Sequence, residues 1–191
     1  MKTKGRLLPA LLLACAAAWP ARARDLTAFQ LVKAGNQYVG VQSKDKVVQI
    51  RSEKSVGSLT PDIWYVVYYD PDATFKSVQV KFGAGQEMEV THPWRVLEMA
   101  TDAHTVMDRA KLKVDSDRAL AIAKAQPLLK HLDLKAAQLC LQNGDEGPRW
   151  KVEFWAAKLK NPNDQADVGA VYISPTDGSV IENDLHPDKV D

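Results

Sequence analysis

The segment WYVVYY at residues 64–69 decides the fold, together with its counterpart WKVEFW at residues 150–155. Both segments are rich in aromatic and β-branched residues, which favour strands. Successive side chains of a strand point to opposite faces, so one face of each segment takes the large apolar residues. These are Trp64, Tyr68, Trp150 and Phe154. The two segments therefore predict one central strand in each half of the chain.

The residues that follow each segment predict further strands in the same order. In the first half, Asp70-Pro71-Asp72 predicts a turn, residues 77–82 alternate again, and Gly83-Ala84-Gly85 ends that strand before residues 87–90. In the second half, Asn161-Pro162-Asn163-Asp164 leads to a strand at 169–173, and Thr176-Asp177-Gly178 turns the chain into a short strand at 179–181. The two halves thus read as related units.

A helix is predicted before each group of strands. Asp115-Ser116-Asp117 offers an N-cap, and Pro127 ends or kinks the apolar helix that follows. Residues 26–38 carry a matching apolar face in the first half, which Gly35 weakens. A further strand follows each helix, at residues 46–51 and 135–141.

The predicted fold class is α+β, with two repeats in which one helix packs on a small antiparallel β-sheet. The first repeat covers residues 24–91 and the second covers residues 115–191. The connector at 92–114 begins with His92-Pro93-Trp94, and its apolar residues are compatible with a strand or with part of a helix. Neither repeat is large enough to bury much apolar surface alone, so we expect the two sheets to abut.

Residues 1–23 have the order of a secretory signal peptide, with basic residues, an apolar run and small residues before the cleavage site. The apolar run from Leu7 to Ala18 has 12 residues, whereas a helix that crosses a bilayer needs about 20. We therefore expect cleavage after Ala23, no transmembrane helix in the mature chain, and a periplasmic or extracellular location. In the alternative, Leu12-Leu13-Ala14-Cys15 is a lipobox, and acylation of Cys15 makes an outer-membrane lipoprotein.

Charge and cysteine content exclude several classes of function. The 25 Lys+Arg and 24 Asp+Glu of the chain nearly balance, and removal of residues 1–23 leaves 21 and 24, a formal charge of −3. A mildly acidic chain is not expected to bind nucleic acid. The mature chain keeps only Cys140, so we expect no intramolecular disulfide and no Cys-based metal cluster. Cys140 lies in an apolar alternation, where a free cysteine behaves as a small hydrophobe.

No group of residues in the sequence indicates catalysis, a cofactor or a metal. The acidic loops at 70–72 and 161–164 lack the spacing of a calcium loop, and Pro beside Asp or Asn is typical of a turn. Residues 83–85 lack the helix start that a phosphate-binding loop needs. The histidines show no metal-ligand spacing; they are His92, His104, His131 and His186. We therefore predict a non-enzymatic protein without catalytic, cofactor-binding or metal-binding residues.

Aromatic residues are the strongest indication of a binding surface. Tyr65, Tyr69 and Trp155 alternate with the predicted buried residues of their strands, so their side chains point to the other face of the sheet. Helices that cover one face of the sheet leave these three residues on the uncovered face. Exposed aromatic residues often anchor a partner. We predict that this face, with Tyr172, binds a protein or peptide. In the alternative, the two repeats or the partner chain of a homodimer cover these residues.

The second half of the chain resembles a PepSY-type domain. The resemblance is carried by SDRALAIA at 116–123, WKVEF at 150–154, GAVYI at 169–173 and TDGSVI at 176–181. Residues 26–90 carry a fainter copy. The sequence departs from the family pattern at Ser174-Pro175, where the family often has an aspartate, and in a longer loop after Trp155. The resemblance implies a secreted or cell-envelope module without catalysis, of the kind found in metalloprotease propeptides and proposed to bind or restrain peptidases.

Two functions of different classes follow from these features. The favoured one is an exported non-enzymatic binding module, with peptidase binding or inhibition as the activity that the resemblance implies. The alternative is a structural cell-envelope protein or lipoprotein that dimerises or acts as a scaffold. A hydrolase is the least favoured, because the sequence offers no recognisable set of nucleophile, base and orienting group.

Overall fold

The computed structural model describes residues 26–92 and 103–191, which contain eight strands and two α-helices. The helices are α1 (Ala28–Gly35) and α2 (Ser116–Lys124). The strands are β1 (Val47–Ser52), β2 (Ile63–Tyr69), β3 (Ser77–Gly83), β4 (Gln86–Thr91), β5 (Leu134–Gly144), β6 (Gly147–Ala157), β7 (Gln165–Ile173) and β8 (Val180–Leu185). Each strand predicted from the sequence is present. The predicted signal peptide, Cys15 and the connector residues 93–102 lie outside the described ranges.

The described part of the connector forms neither a strand nor an α-helix. It contains two short 3₁₀ helices, Ala103–Thr105 and Arg109–Lys111. Between them, Met107 is buried and its N–H donates to the carbonyl of Val47 at 2.8 Å. None of the helices in the described ranges has the length and apolar character needed to cross a membrane.

The predicted fold class of two helix-on-sheet repeats is wrong, because the strands form one sheet. All eight are antiparallel in the order β4-β3-β2-β1-β5-β6-β7-β8, so β1 and β5 join the two halves at the centre. The paired residues are Gln49 with Gln142, Ile50 with Leu141, and Arg51 with Cys140. Gln49 and Gln142 are 93 positions apart. No turn or other local pattern predicts a pairing over that distance.

Serine side chains continue the contact between β1 and β5 beyond these three pairs. Ser52 Oγ accepts the N–H of Leu139 at 2.9 Å, and Ser55 Oγ accepts the N–H of Ala137 at 2.8 Å. Both serines are buried. A buried amide N–H without a partner is costly. The two hydroxyls therefore stabilise the contact of β1 and the residues after it with β5, called the seam, in which only three residue pairs form the backbone ladder.

Asp115 and Ser116 accept backbone N–H groups at the start of both helices. Asp115 Oδ1 accepts the N–H of Ser116 at the start of α2 at 2.7 Å, and it also accepts the N–H of Phe29 in α1 at 3.1 Å. Ser116 Oγ accepts the N–H of Ala28 at 3.0 Å. The first N–H groups of a helix have no partner within that helix. One pair of residues therefore satisfies amides at the start of both helices and fixes α1 against α2.

The core lies between the helices and the sheet and continues across both halves. One row of neighbouring, fully buried side chains crosses five strands and consists of Val66, Ile50, Leu141, Trp150 and Ile173. The ring of Phe29 in α1 lies 6.4 Å from that of Trp150 in β6, centroid to centroid. A helix of the first half thus contacts a strand of the second half. The two halves are not independent helix-on-sheet units.

The C-terminal end of α1 approaches the sheet closely. Tyr68 donates its hydroxyl to the carbonyl of Val32 at 2.9 Å. A Cβ atom on Gly35 would lie 2.2 Å from that hydroxyl oxygen, so only glycine fits without a shift. Burial raises the pKa of the Tyr68 hydroxyl, and the charge of Asp45 adds to this. Gly35 is therefore a packing requirement of α1.

Candidate binding face

The side of the sheet opposite the helices, called the open face below, carries a polar row that crosses all eight strands. From β4 to β8, the paired residues of this row are Glu89, Lys81, Tyr65, Arg51, Cys140, Lys151, Tyr172 and Glu182. The edges of the row are acidic, and its interior carries cations and aromatic rings. The adjacent row on the other face is the apolar row of Ile50. Along these two rows, the two faces of the sheet therefore differ sharply in character.

The four aromatic residues predicted to bind a partner lie on the open face and are half-buried. Each has a cation over its ring. The distances to the ring centroid are 4.2 Å for Arg51 over Tyr65, 4.5 Å for Lys54 over Trp155, 4.8 Å for Arg149 over Tyr172, and 5.8 Å for Lys46 over Tyr69. The face of an aromatic ring attracts a cation within about 6 Å. The rings therefore support positive charges and are not bare apolar anchors.

Two lysines of the open face are paired with glutamates. Glu153 accepts a hydrogen bond from Lys151 Nζ at 2.6 Å, and Glu53 lies 3.8 Å from Lys81 Nζ. Glu53 also accepts the hydroxyl of Tyr65. Burial disfavours the charged form of Lys151, but the hydrogen bond and charge of Glu153 outweigh it and raise the pKa of Lys151. Hydrogen bonding to Tyr65 is the main cause that raises the pKa of Lys81. These two charges are compensated within the face.

The other four cations of the open face have no carboxylate partner among the described residues; they are Lys46, Arg51, Lys54 and Arg149. Arg51 donates to Gln79 Oε1 at 3.2 Å, which is an uncharged acceptor. Its Nε atom has no hydrogen-bond partner within the described ranges. Surface charges without a nearby counter-charge attract groups of the opposite sign. The centre of the open face is therefore suited to negative groups.

The sequence pattern predicts the aromatic rings of the open face but not the cations that lie over them. The face on which Tyr65 and Trp155 lie can be read from their own strands, because side chains alternate between the two faces along a strand. The cations come from other segments. Arg51 reaches Tyr65 across the pairing of β1 with β2, and Lys54, which follows β1, reaches Trp155 on β6. The second contact exists only because β5 joins β1 to β6, so it depends on the pairing that the sequence does not signal.

The acidic loops form local turns. Asp70 Oδ1 accepts the N–H of Asp72 at 3.0 Å, and Asn161 Oδ1 accepts the N–H of Asn163 at 3.4 Å. Side-chain bonds of this kind are typical of Asx turns. Among the residues that the structure describes, no three His, Cys, Asp or Glu side chains converge as metal ligands.

The other candidate residues are the segment 83–85, His186 and Cys140. Ala84 and Gly85 have φ values of 49° and 76°, as the two-residue turn between β3 and β4 requires. His186 Nε2 lies 2.9 Å from Asp184 Oδ1 near the end of the chain. Cys140 is half-buried on the open face between Arg51 and Lys151. None of these arrangements brings together a nucleophile, a base and an orienting group.

A cavity of about 230 Å³ lies beside α1, on the opposite side of the sheet from the open face. Its walls include Phe29, Val47 and Met107, and Arg109 and Asp45 form an ion pair among its lining residues. Pockets for drug-sized ligands start at roughly 300 Å³. The cavity is therefore a weaker candidate than the open face.

Comparison of the chain with protein-family models, with curated proteins and with solved structures finds no match in any of the three. The resemblance of the second half to PepSY-type domains therefore stays a prediction.

Proposed function

We propose that the protein is an exported, non-enzymatic binding module that takes a protein or peptide partner on its open face. One observation carries the proposal. The four aromatic residues of the open face lie on one sheet, and each has a cation over its ring; they are Tyr65, Tyr69, Trp155 and Tyr172.

The chemistry of these residues suits recognition of a protein surface. Tyr, Trp and Arg dominate the binding energy of protein interfaces, because they combine a large contact area with hydrogen-bonding groups. Tyr65 and Tyr172 stand on interior strands, β2 and β7, which pair with a neighbouring strand on both sides. Side chains that are ordered before binding lose little entropy when a partner arrives.

The sequence of residues 1–23 supports export, and the PepSY resemblance supports a peptidase as the partner class. Mass spectrometry of the mature N-terminus tests the first part. Cleavage after Ala23 gives a chain that begins at Arg24, whereas an acylated Cys15 makes the protein a lipoprotein instead.

Capture of partners from cell-envelope extract tests the open face directly. The test variant is Tyr65→Ser, Tyr69→Ser and Trp155→Ser, which removes three of the four rings. The matched control is Tyr38→Ser, since Tyr38 is 44% exposed in the turn after α1 and lies off the open face. Captured proteins are identified by mass spectrometry, and circular dichroism checks that both variants are folded.

We expect the wild type and the Tyr38→Ser control to capture the same proteins and the triple variant to lose them. A folded triple variant that captures them in undiminished amount shows that the open face is not the binding site. A wild-type protein that captures nothing specific contradicts the binding function itself.

A further inference from the structure

We propose that the open face binds an acidic protein surface; this inference rests on the proposed function. The face presents cations that have no carboxylate partner in the described ranges, namely Lys46, Arg51, Lys54 and Arg149. Among the described residues from β2 to β7, the face carries five cations, these four and Lys151, against the carboxylates of Glu53, Glu153 and Asp167. Its centre therefore has a local excess of positive charge, although the whole chain has a formal net charge of only +1. Aspartate and glutamate side chains on a partner would provide the missing counter-charges.

The four cation–aromatic pairs cover the centre of the open face. The pair Lys46–Tyr69 lies at one end of the strands and Lys54–Trp155 at the other, with the pairs of Tyr65 and Tyr172 between them. The distance from β2 to β7 is about 19 Å, and the pairs extend about 27 Å along the strands. The patch thus covers about 500 Å², which is roughly two thirds of the 800 Å² that each partner buries in a standard interface.

The same features favour a protein over single-stranded nucleic acid, the other anionic polymer that binds cations and aromatic rings. Nucleic acid stacks its bases on open ring faces. Each ring of the open face already has a cation over it. In addition, Glu89 and Glu182 at the two edges repel a phosphate backbone that runs across the sheet. An acidic protein surface that contacts only the centre avoids both edges.

Binding of fluorescein-labelled poly-L-glutamate, measured by fluorescence anisotropy, tests the inference. The face variant is Lys46→Gln, Arg51→Gln, Lys54→Gln and Arg149→Gln, which keeps every ring. The matched variant is Lys33→Gln, Lys44→Gln, Lys124→Gln and Lys130→Gln, which removes the same charge from exposed positions outside the sheet. A labelled single-stranded DNA is measured with the same three proteins.

We expect the wild type and the matched variant to bind poly-L-glutamate, and the face variant to bind at least about ten-fold more weakly. Raising the salt from about 0.05 M to about 0.5 M weakens wild-type binding, because the screening length falls several-fold. Three results overturn the inference: equal affinities of the two variants, no binding of poly-L-glutamate by the wild type, or tighter binding of the DNA. If the four changes lower stability, the double variant Lys46→Gln, Lys54→Gln replaces the face variant and removes half of the charge. Equal binding of poly-L-glutamate by the double variant and the wild type also overturns the inference.

Capture from envelope extract separates this inference from the proposed function. If the aromatic triple variant loses the captured proteins and the face variant keeps them, the inference of an acidic partner is wrong, but the proposal that the open face binds a partner is supported. If both variants keep them, the binding face is wrong as well.

Discussion

Asp177 stabilises the turn between β7 and β8 through local hydrogen bonds. Its Oδ1 atom accepts the backbone N–H of Ser179 at 3.0 Å and the hydroxyl of the same serine at 2.8 Å. These donors favour the ionised carboxylate, and the backbone bond from Ser179 is the main cause that lowers the pKa of Asp177 to about 2.

The lowered pKa of Asp177 predicts a pH-dependent contribution to stability. The contribution is complete above the ordinary carboxyl pKa of 3.8 and is lost as the pH falls through about 2. We expect Asp177→Asn to lower the thermal midpoint at neutral pH, and the difference from the wild type to shrink between about pH 4 and pH 2. Thermal unfolding across this range measures it. A difference that is constant over the range contradicts the role of the charge.

Ser52 and Ser55 predict a second effect at the scale of single residues. Each hydroxyl accepts a buried backbone N–H of β5, so alanine at either position leaves that amide without a partner. We expect Ser52→Ala and Ser55→Ala each to lower the free energy of unfolding by about 1–3 kcal/mol in urea denaturation.

Ser43 provides a matched control for these serines. It is equally buried, but its hydroxyl has no hydrogen-bond partner within the described ranges. Ser43→Ala is therefore expected to be neutral or stabilising, because it removes an unsatisfied polar group from the interior. A loss at Ser43 as large as that at Ser52 would show that serine hydroxyls do not hold the seam.

At the scale of elements, the sequence predicts the strands well and the helix ends less well. Residues 64–69 and 150–155 identify their strands because burial on one face leaves a period of two in the sequence. The end of α1 is different. Gly35 indicates a weak point within a longer helix, but the structure ends α1 there, where the hydroxyl of Tyr68 occupies the space that a side chain would need. That contact joins residues that are distant in the sequence, so no local pattern contains it.

The contact between α1 and β2 predicts energetic coupling between Gly35 and Tyr68. We expect Gly35→Ala to lower the free energy of unfolding by about 1–3 kcal/mol, because the new methyl group overlaps the Tyr68 hydroxyl. Tyr68→Phe alone costs about 1 kcal/mol for the lost bond to Val32. In the Tyr68→Phe background, Gly35→Ala is expected to cost less, which a double-mutant cycle in urea measures. Additive costs would contradict the overlap.

At the scale of the whole molecule, the pairing of β1 with β5 turns eight predicted strands into one sheet. The sequence predicts two small sheets, because hairpins are marked by turn residues. A pairing between the two halves of the chain has no such local signal. The pairing of β1 with β5 is short, the hydroxyls of Ser52 and Ser55 extend it, and Asp115 joins the starts of the two helices. Such polar residues do not stand out from ordinary surface residues until the fold is known.

The same pairing decides the character of the open face. The alternation of side chains along each strand predicts that Tyr65, Tyr69 and Trp155 point away from the helices, and the structure places them with Tyr172 on one face. The cations over their rings could not be assigned, because strand order sets which cation meets which ring. The single sheet thus changes the expected binding surface from apolar anchors to a positively charged patch.

Site-specific photo-crosslinking tests the central claim, that the open face is where a partner binds. The photoreactive residue p-benzoylphenylalanine replaces Tyr65 or Tyr172 on the open face in one pair of proteins, and Tyr38 after α1 in a matched control. After irradiation in envelope extract, we expect crosslinks to the captured proteins from Tyr65→p-benzoylphenylalanine and Tyr172→p-benzoylphenylalanine, and none from the Tyr38 position. Crosslinks to those proteins from the Tyr38 position, with none from the open face, would contradict the account.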